Sequence, residues 1–188
     1  MPARWAIVPF RQIESYLPKS GLIVDVGCGE GVMATFLALN SPKRKVIGID
    51  INQNKINLGK SIAQKIPNLY FQNKNVLKES LPKAIGFVLS DFLHHIPKSQ
   101  HKLLLERLVN ATIAKGVIVI KEIDLKDGLR AKISRFFDFI FYPGQKVSFI
   151  NSDDLTSLLT KLGLKVSIVK VKKWFPGSTT LFICKKLK

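Results

Sequence analysis

Four stretches of this chain combine residue types capable of chemistry with spacings that matter. The first is Asp25-Val26-Gly27-Cys28-Gly29-Glu30-Gly31. Glycines at 27, 29 and 31 let the backbone bend sharply and approach a ligand closely, and the helix expected next presents its N-terminus. A dinucleotide-binding loop needs its third glycine at position 32, where this chain carries Val32. Asp25 adds a carboxylate beside the loop, which suits a ligand ammonium better than a pyrophosphate. The second stretch is Asp50-Ile51, and the third runs from Asn73 through Asn75 to Val76. The fourth is Ser90-Asp91-Phe92-Leu93-His94-His95, joined further along by Glu122. Histidine is the natural side-chain base near neutral pH.

These residues need a scaffold, and the apolar pattern supplies one. Strand-like runs at 22–26, 45–50, 69–73, 84–90 and 116–122 alternate with helical stretches. The helices run from the glycine turn to Ala38, from Gln53 to Lys65, and over 98–113, where Leu103, Leu104, Leu108 and Val109 recur at helical spacing. A short helix from Pro9 to Leu17 precedes them, within an N-terminal segment of residues 1–20. A basic, aromatic helix at 128–142 and another from Ser152 to Leu162, capped by Ser152 or Asp153, follow. Two closing strands, 165–174 and 179–185, meet at a Pro176-Gly177 turn. The pattern predicts one α/β domain over residues 1–188. It is a Rossmann-like, doubly wound seven-stranded sheet, mostly parallel, with one antiparallel strand in a C-terminal hairpin. In such sheets ligands bind outside the carboxyl ends of the strands, where all four stretches fall.

Composition narrows the class. The 188 residues are 46% hydrophobic and 23% charged, enough for a packed core and unlike a disordered chain. Cys28 and Cys184 are too few for a disulfide framework or a zinc site, so no metal is expected, and their use fits a reducing compartment. With no apolar run long enough for a leader or a spanning helix, a cytoplasmic location is expected, extending to the inner membrane surface as a peripheral protein. Thirty Lys and Arg against 13 Asp and Glu give a net charge of +17, a field that concentrates phosphate-bearing partners.

The segment "LIVDVGCGEG" resembles the first motif of class I S-adenosylmethionine-dependent methyltransferases, and the resemblance extends over roughly residues 20–124. It implies that Asp25, Gly27, Cys28, Gly29 and Gly31 lie beneath the methionine part of the cofactor S-adenosyl-L-methionine. Asp50 would take both ribose hydroxyls, because a carboxylate accepts two hydrogen bonds from a vicinal diol. Ile51 would lie against the adenine, with Asn75 or Asn73 reading its amino group and Val76 beside it. "SDFLHH" resembles the "D-x-L-H-H" segment of many small-molecule members, which places Asp91 where cofactor and acceptor meet.

Methyl transfer from a sulfonium is an in-line displacement in which alignment supplies much of the rate, and a hydroxyl acceptor also benefits from a base. Candidate catalytic groups are His95, His94, Asp91 and Glu122. The chain lacks the Asn-Pro-Pro-aromatic run of base amino-methylating enzymes, and neither cysteine is placed as a nucleophile for cytosine. Asp91 and Lys121 match two members of the Lys-Asp-Lys-Glu set used on ribose hydroxyls, but "TTLFICKK" offers no glutamate. Residues 125–151 form the expected substrate cap. There Leu129, Ile133, Phe136, Phe137, Ile140 and Phe141 recur at helical spacing, with Phe139 and Tyr142 widening the apolar arc. Such a cap favours a hydrophobic or lipid-linked small-molecule acceptor and peripheral membrane contact. The alternative functions are an RNA methyltransferase, with nucleic acid as partner, and a non-catalytic S-adenosylmethionine-binding module.

Overall fold

A computed structural model describes residues 8–134, 147–171 and 178–187. Seven strands form one sheet: β1 (Gly21–Val26), β2 (Arg44–Asp50), β3 (Leu69–Asn73), β4 (Ala84–Ser90), β5 (Thr112–Glu122), β6 (Leu164–Lys170) and β7 (Thr180–Lys186). Their order is β3-β2-β1-β4-β5-β7-β6, and β7 alone runs antiparallel to its neighbours. The connections reverse direction between β1 and β4, which opens the crevice a doubly wound sheet uses for ligands. This is the architecture expected from the alternating pattern.

Alternation along the buried strands sends side chains into two cores. Val24, Val26, Phe87, Leu89, Ile118 and Ile120 face α4 (Lys98–Ala111) and α5 (Ser152–Lys161). Ile23, Val46, Val88 and Val119 face the other layer, made by α1 (Phe10–Ser15), α2 (Val32–Asn40) and α3 (Gln53–Ala63). Both faces of the central strands are therefore apolar, which is why they read as continuous hydrophobic runs.

Local chemistry sets the ends of these elements. Asn52 caps α3 by accepting from the Asn54 and Lys55 amides. Asn151 caps α5 by accepting from the Asp154 amide, so the expected caps Ser152 and Asp153 are corrected to the residue before them. Asp153 and Asp154 instead lie in the first turn, where acids complement the helix dipole. A second correction concerns β5, which starts at Thr112 rather than 116 because α4 ends at Ala111. The early start passes through Lys115 at φ 61°, and the pairing with β4 shifts register between Ala84 and Gly86. The Pro176-Gly177 turn lies outside the described residues.

Arg44 anchors the N-terminal segment. Its guanidinium is 1% exposed, bonds the carbonyls of Pro18 at 2.7 Å and Leu17 at 3.2 Å, and pairs with Glu14 at 2.8 Å. Burial alone would raise the Glu14 pKa, but hydrogen bonds from Lys19 and Arg44, and their charges, outweigh it and hold the carboxyl below its ordinary value. Arg44→Ala leaves Glu14 paired with Lys19 but deprives the Pro18 and Leu17 carbonyls of their donor, so it should lower the unfolding free energy by about 1–3 kcal/mol in urea melts. The Glu14 contribution is present above the unfolded-state pKa and lost as pH falls through the depressed folded one. Glu14→Gln should therefore flatten the acid limb of a stability–pH curve; an unchanged limb would show that other carboxylates govern it.

Candidate active site

The glycine loop leaves β1 at the switch point and is held from two sides. Gly27, Gly29 and Gly31 all adopt positive φ, at 69°, 58° and 85°. Gly31 has a packing reason as well, since a Cβ there would stand 2.2 Å from the ring of Phe71. At Gly27 a Cβ would meet the ring of Phe92 at 2.0 Å, so the loop after β4 rests directly on the loop after β1. Asp25 is buried, and its carboxylate accepts from the Ala34 amide at 3.1 Å, which ties β1 to the first turn of α2. It also lines a small cavity with Gly27, Cys28 and Ser90.

Asp50 does the corresponding work at the end of β2. One carboxylate oxygen accepts from the Gly29 amide at 2.8 Å and the other from the Asn52 amide at 2.8 Å. A carboxylate has about four lone-pair positions, so further acceptor capacity remains at a half-exposed site. Ile51 beside it is 68% exposed, an apolar side chain left open where a planar ring could lie. Asn73 is committed to the chain, donating to the Asp50 and Ile51 carbonyls at 3.1 and 2.8 Å. Asn75 closes its own turn by accepting from the Leu77 amide, and Val76 is buried in the core facing α4.

The ends of β4 and β5 bring the other candidates together. Lys121 and Glu122 are successive strand residues and point to opposite faces. Lys121, 2% exposed, forms an ion pair with Asp91, whose own φ of 53° lets the carboxylate turn back toward β5. Glu122 accepts from the Leu93 amide at 2.8 Å and meets His94 Nδ1 at 2.6 Å. Glu122 is thus held by the histidine turn. The carboxylate fixes the His94 tautomer with the proton on Nδ1. The His94 ring stacks on Phe149 at 5.2 Å and lies 4.3 Å from the His95 ring.

His95 is half-buried, and its imidazole pKa is pushed down to about 4. Burial is the main cause and the neighbouring His94 adds to it, against opposition from Glu122 and Asp91. His95 is therefore neutral at pH 7. No group of three or more potential metal ligands occurs among the described residues.

The start of the expected cap is latched to the C-terminal hairpin. Residues 129–134 are helical. The Ser178 hydroxyl donates to Asp127 at 2.6 Å, its amide donates to the Ser134 hydroxyl at 2.9 Å, and Lys170 pairs with Asp127 at 2.7 Å. No local signal in the sequence announces Ser178, because its partners lie 44 and 51 positions away. Phe136, Phe137, Phe139, Ile140, Phe141 and Tyr142 lie outside the described residues.

Known proteins agree with this geometry. Residues 6–168 match the family model described as a methyltransferase domain, and the chain belongs to that family. It is 29% identical over 116 residues to a trans-aconitate 2-methyltransferase of Deinococcus radiodurans, covering 60% of this chain and 43% of that protein. It is 26% identical over 118 residues to a ribosomal protein L11 methyltransferase of Thermotoga neapolitana, covering 62% and 43%. The aligned part is thus less than half the length of each of these curated relatives. Human N-acetylserotonin methyltransferase, solved in complex with S-adenosylmethionine, superposes with a TM-score of 0.76 at 19% identity, over 96% of this chain and 52% of that one. The fold is accordingly the Rossmann-like methyltransferase fold.

A histidine with a depressed pKa leaves a signature in stability. Between pH 6.5 and about 4 the unfolded chain carries a proton on His95 that the folded chain does not. Stability should therefore be full above 6.5 and fall as pH drops toward 4. NMR titration should find the His95 ring neutral down to about pH 4, and His95→Gln should remove that part of the slope. A midpoint near 6.5 would mean that the ring is solvated.

Proposed function

We propose that this chain binds S-adenosyl-L-methionine at the carboxyl end of the sheet and transfers its methyl group to a small, hydrophobic acceptor hydroxyl. The observation that carries the reading is the shared use of Asp50, whose carboxylate shapes the glycine loop through Gly29 and keeps acceptor capacity for a ribose diol. The residues fit the cofactor. Gly27 and Gly29 supply close-approach backbone, the Asp25 carboxylate lines the cavity beside them, and Ile51 offers an open apolar face. When bound, the cofactor supplies an electrophilic methyl on a sulfonium.

The chain's own residues then orient the acceptor and take up its proton. His95, uncharged and half-buried, is the group that receives the hydroxyl proton; with a pKa of about 4 it is a weak base, so the proton moves to it only as the oxygen–methyl bond forms. His94 and Glu122 hold the 93–95 turn against β5, and Phe149 backs the imidazole pair with an apolar surface. The Asp91–Lys121 pair neutralises a buried lysine beside the site, which leaves less reason for the site to select an anion. Exposed Leu129 at the base of the cap helix and the aromatic run beyond it support a hydrophobic acceptor. Ribose 2′-hydroxyl transfer is less well supported, because the β7 residues paired with Lys121 and Glu122 are Leu181 and Thr180, not a carboxylate. No helix among the described residues is long and apolar enough to cross a membrane, and peripheral contact through the cap is part of this proposal.

Calorimetry and thermal melting test the cofactor. S-adenosylmethionine or its demethylated product should bind and raise the melting temperature, and NAD should not. Asp50→Ala should weaken binding by about 1.5–3 kcal/mol in a protein that still folds. Tight NAD binding with no response to the methyl donor would overturn the reading. Once a hydroxyl acceptor has been found by radiolabelled methyl transfer, His95→Gln should lower kcat by about 10²–10⁴ and leave cofactor affinity unchanged.

A further inference from the structure

A second cleft, shallow and open to solvent, lies at the opposite end of the sheet, where β4 and β5 begin. It is lined by Leu81, Lys83, Arg107, Asn110 and Ala111, with a volume of about 260 Å³. Arg107 comes from the penultimate turn of α4 and Lys83 from the segment entering β4. Both cations are held in place by main-chain carbonyls. Arg107 bonds the carbonyls of Val76 at 2.9 Å and of Glu79, and Lys83 bonds that of Asn110 at 2.7 Å. Lys186 lies next to them, donating to the Val109 and Thr112 carbonyls at 2.9 and 2.7 Å. None of the three meets a carboxylate among the described residues. Nearby Glu106 lies against Lys102, and Glu79 accepts from the Asn75 amide.

Carbonyl partners orient a cation without cancelling its charge. The C-terminus of α4 offers roughly half a negative charge against the full charges of Lys83 and Lys186, so helix capping accounts for only part of the arrangement. Two of the five guanidinium N–H groups of Arg107 are used, and the remaining three have no partner among the described residues. That is a fixed planar donor set, with the geometry that takes an oxyanion in two parallel bonds.

We propose that this cleft is an oxyanion site that takes a phosphate or phosphomonoester group between Arg107 and Lys83. It is separate from the methyl-transfer site and does not depend on that assignment. Inorganic phosphate is titrated into the full chain at constant ionic strength, balanced with chloride and followed by amide NMR. Saturable shifts confined to residues 81–83 and 107–111 are expected, and Lys83→Glu should weaken them at least tenfold. Arg107→Gln is the second variant, with melting curves confirming that each protein is folded. Glycerol 3-phosphate and vesicles containing phosphatidic acid then separate the sources. Tighter binding of the soluble ester supports a free metabolite, and vesicle binding that Lys83→Glu abolishes supports a lipid headgroup. Shifts that do not saturate with any probe, or that are unchanged in both folded variants, would overturn the site and leave these cations as helix caps.

Discussion

One carboxylate at the carboxyl end of β2 holds the candidate active site together. Asp50 accepts from Gly29 in the loop after β1 and from Asn52 at the cap of α3, while its own carbonyl accepts from Asn73 at the end of β3. The glycine loop, the start of α3 and the end of β3 are thereby fixed to one residue. A glycine-rich loop has many conformations of similar energy, so a charged acceptor on one of its amides does more to define it than any propensity could. Loop order therefore depends on Asp50 before any ligand arrives, and a substitution there acts first on the loop.

The glycines themselves serve packing as well as ligand approach. Phe71 occupies a hollow bounded by Gly31, Gly48 and Gly59, where added Cβ atoms would stand 2.2, 2.6 and 3.0 Å from its ring. One aromatic side chain thus ties the glycine loop to β2 and α3. Phe92 does the same between the loops after β1 and β4 through Gly27. The loops after β1 and β4 are in direct contact through that ring, so a shift in one is felt by the other.

The fold was legible in the sequence because its central strands are apolar on both faces and its breaks fall at glycine and proline. Strands 69–73 and 84–90 coincide with the observed elements at both ends. The start of β5 was not legible, since Thr112 to Lys115 is exposed at three of four positions and carries no strand alternation. The acid and base residues were legible as types at strand ends, but their pairings were not. Nothing in the order Lys121-Glu122 says that one reaches Asp91 and the other His94; strand alternation and the positive φ of Asp91 decide it. Arg44 reads as a surface cation by composition and is instead buried against Glu14, because an arginine enters a core when carbonyls and a carboxylate satisfy its fork.

The net charge of +17 also resolves into two kinds of cation once the partners are known. Around the carboxyl ends of β4 and β5 the cations meet acids: Lys121 with Asp91, Lys126 with Asp153, and Lys170 with Asp124 and Asp127. These pairs offset part of the positive field at that end of the sheet. At the amino ends of the same strands Lys83, Arg107 and Lys186 meet carbonyls and no carboxylate among the described residues. Composition alone reads this excess as a single cationic field and cannot assign it to a surface. The placement of the carboxylates assigns it, since 13 acids cannot neutralise 30 bases and most of the pairs named here serve the catalytic end or the anchor at Arg44. Among the described residues, the cations named here without an acid partner lie at the end of the sheet opposite Asp50, where attraction of anions is expected.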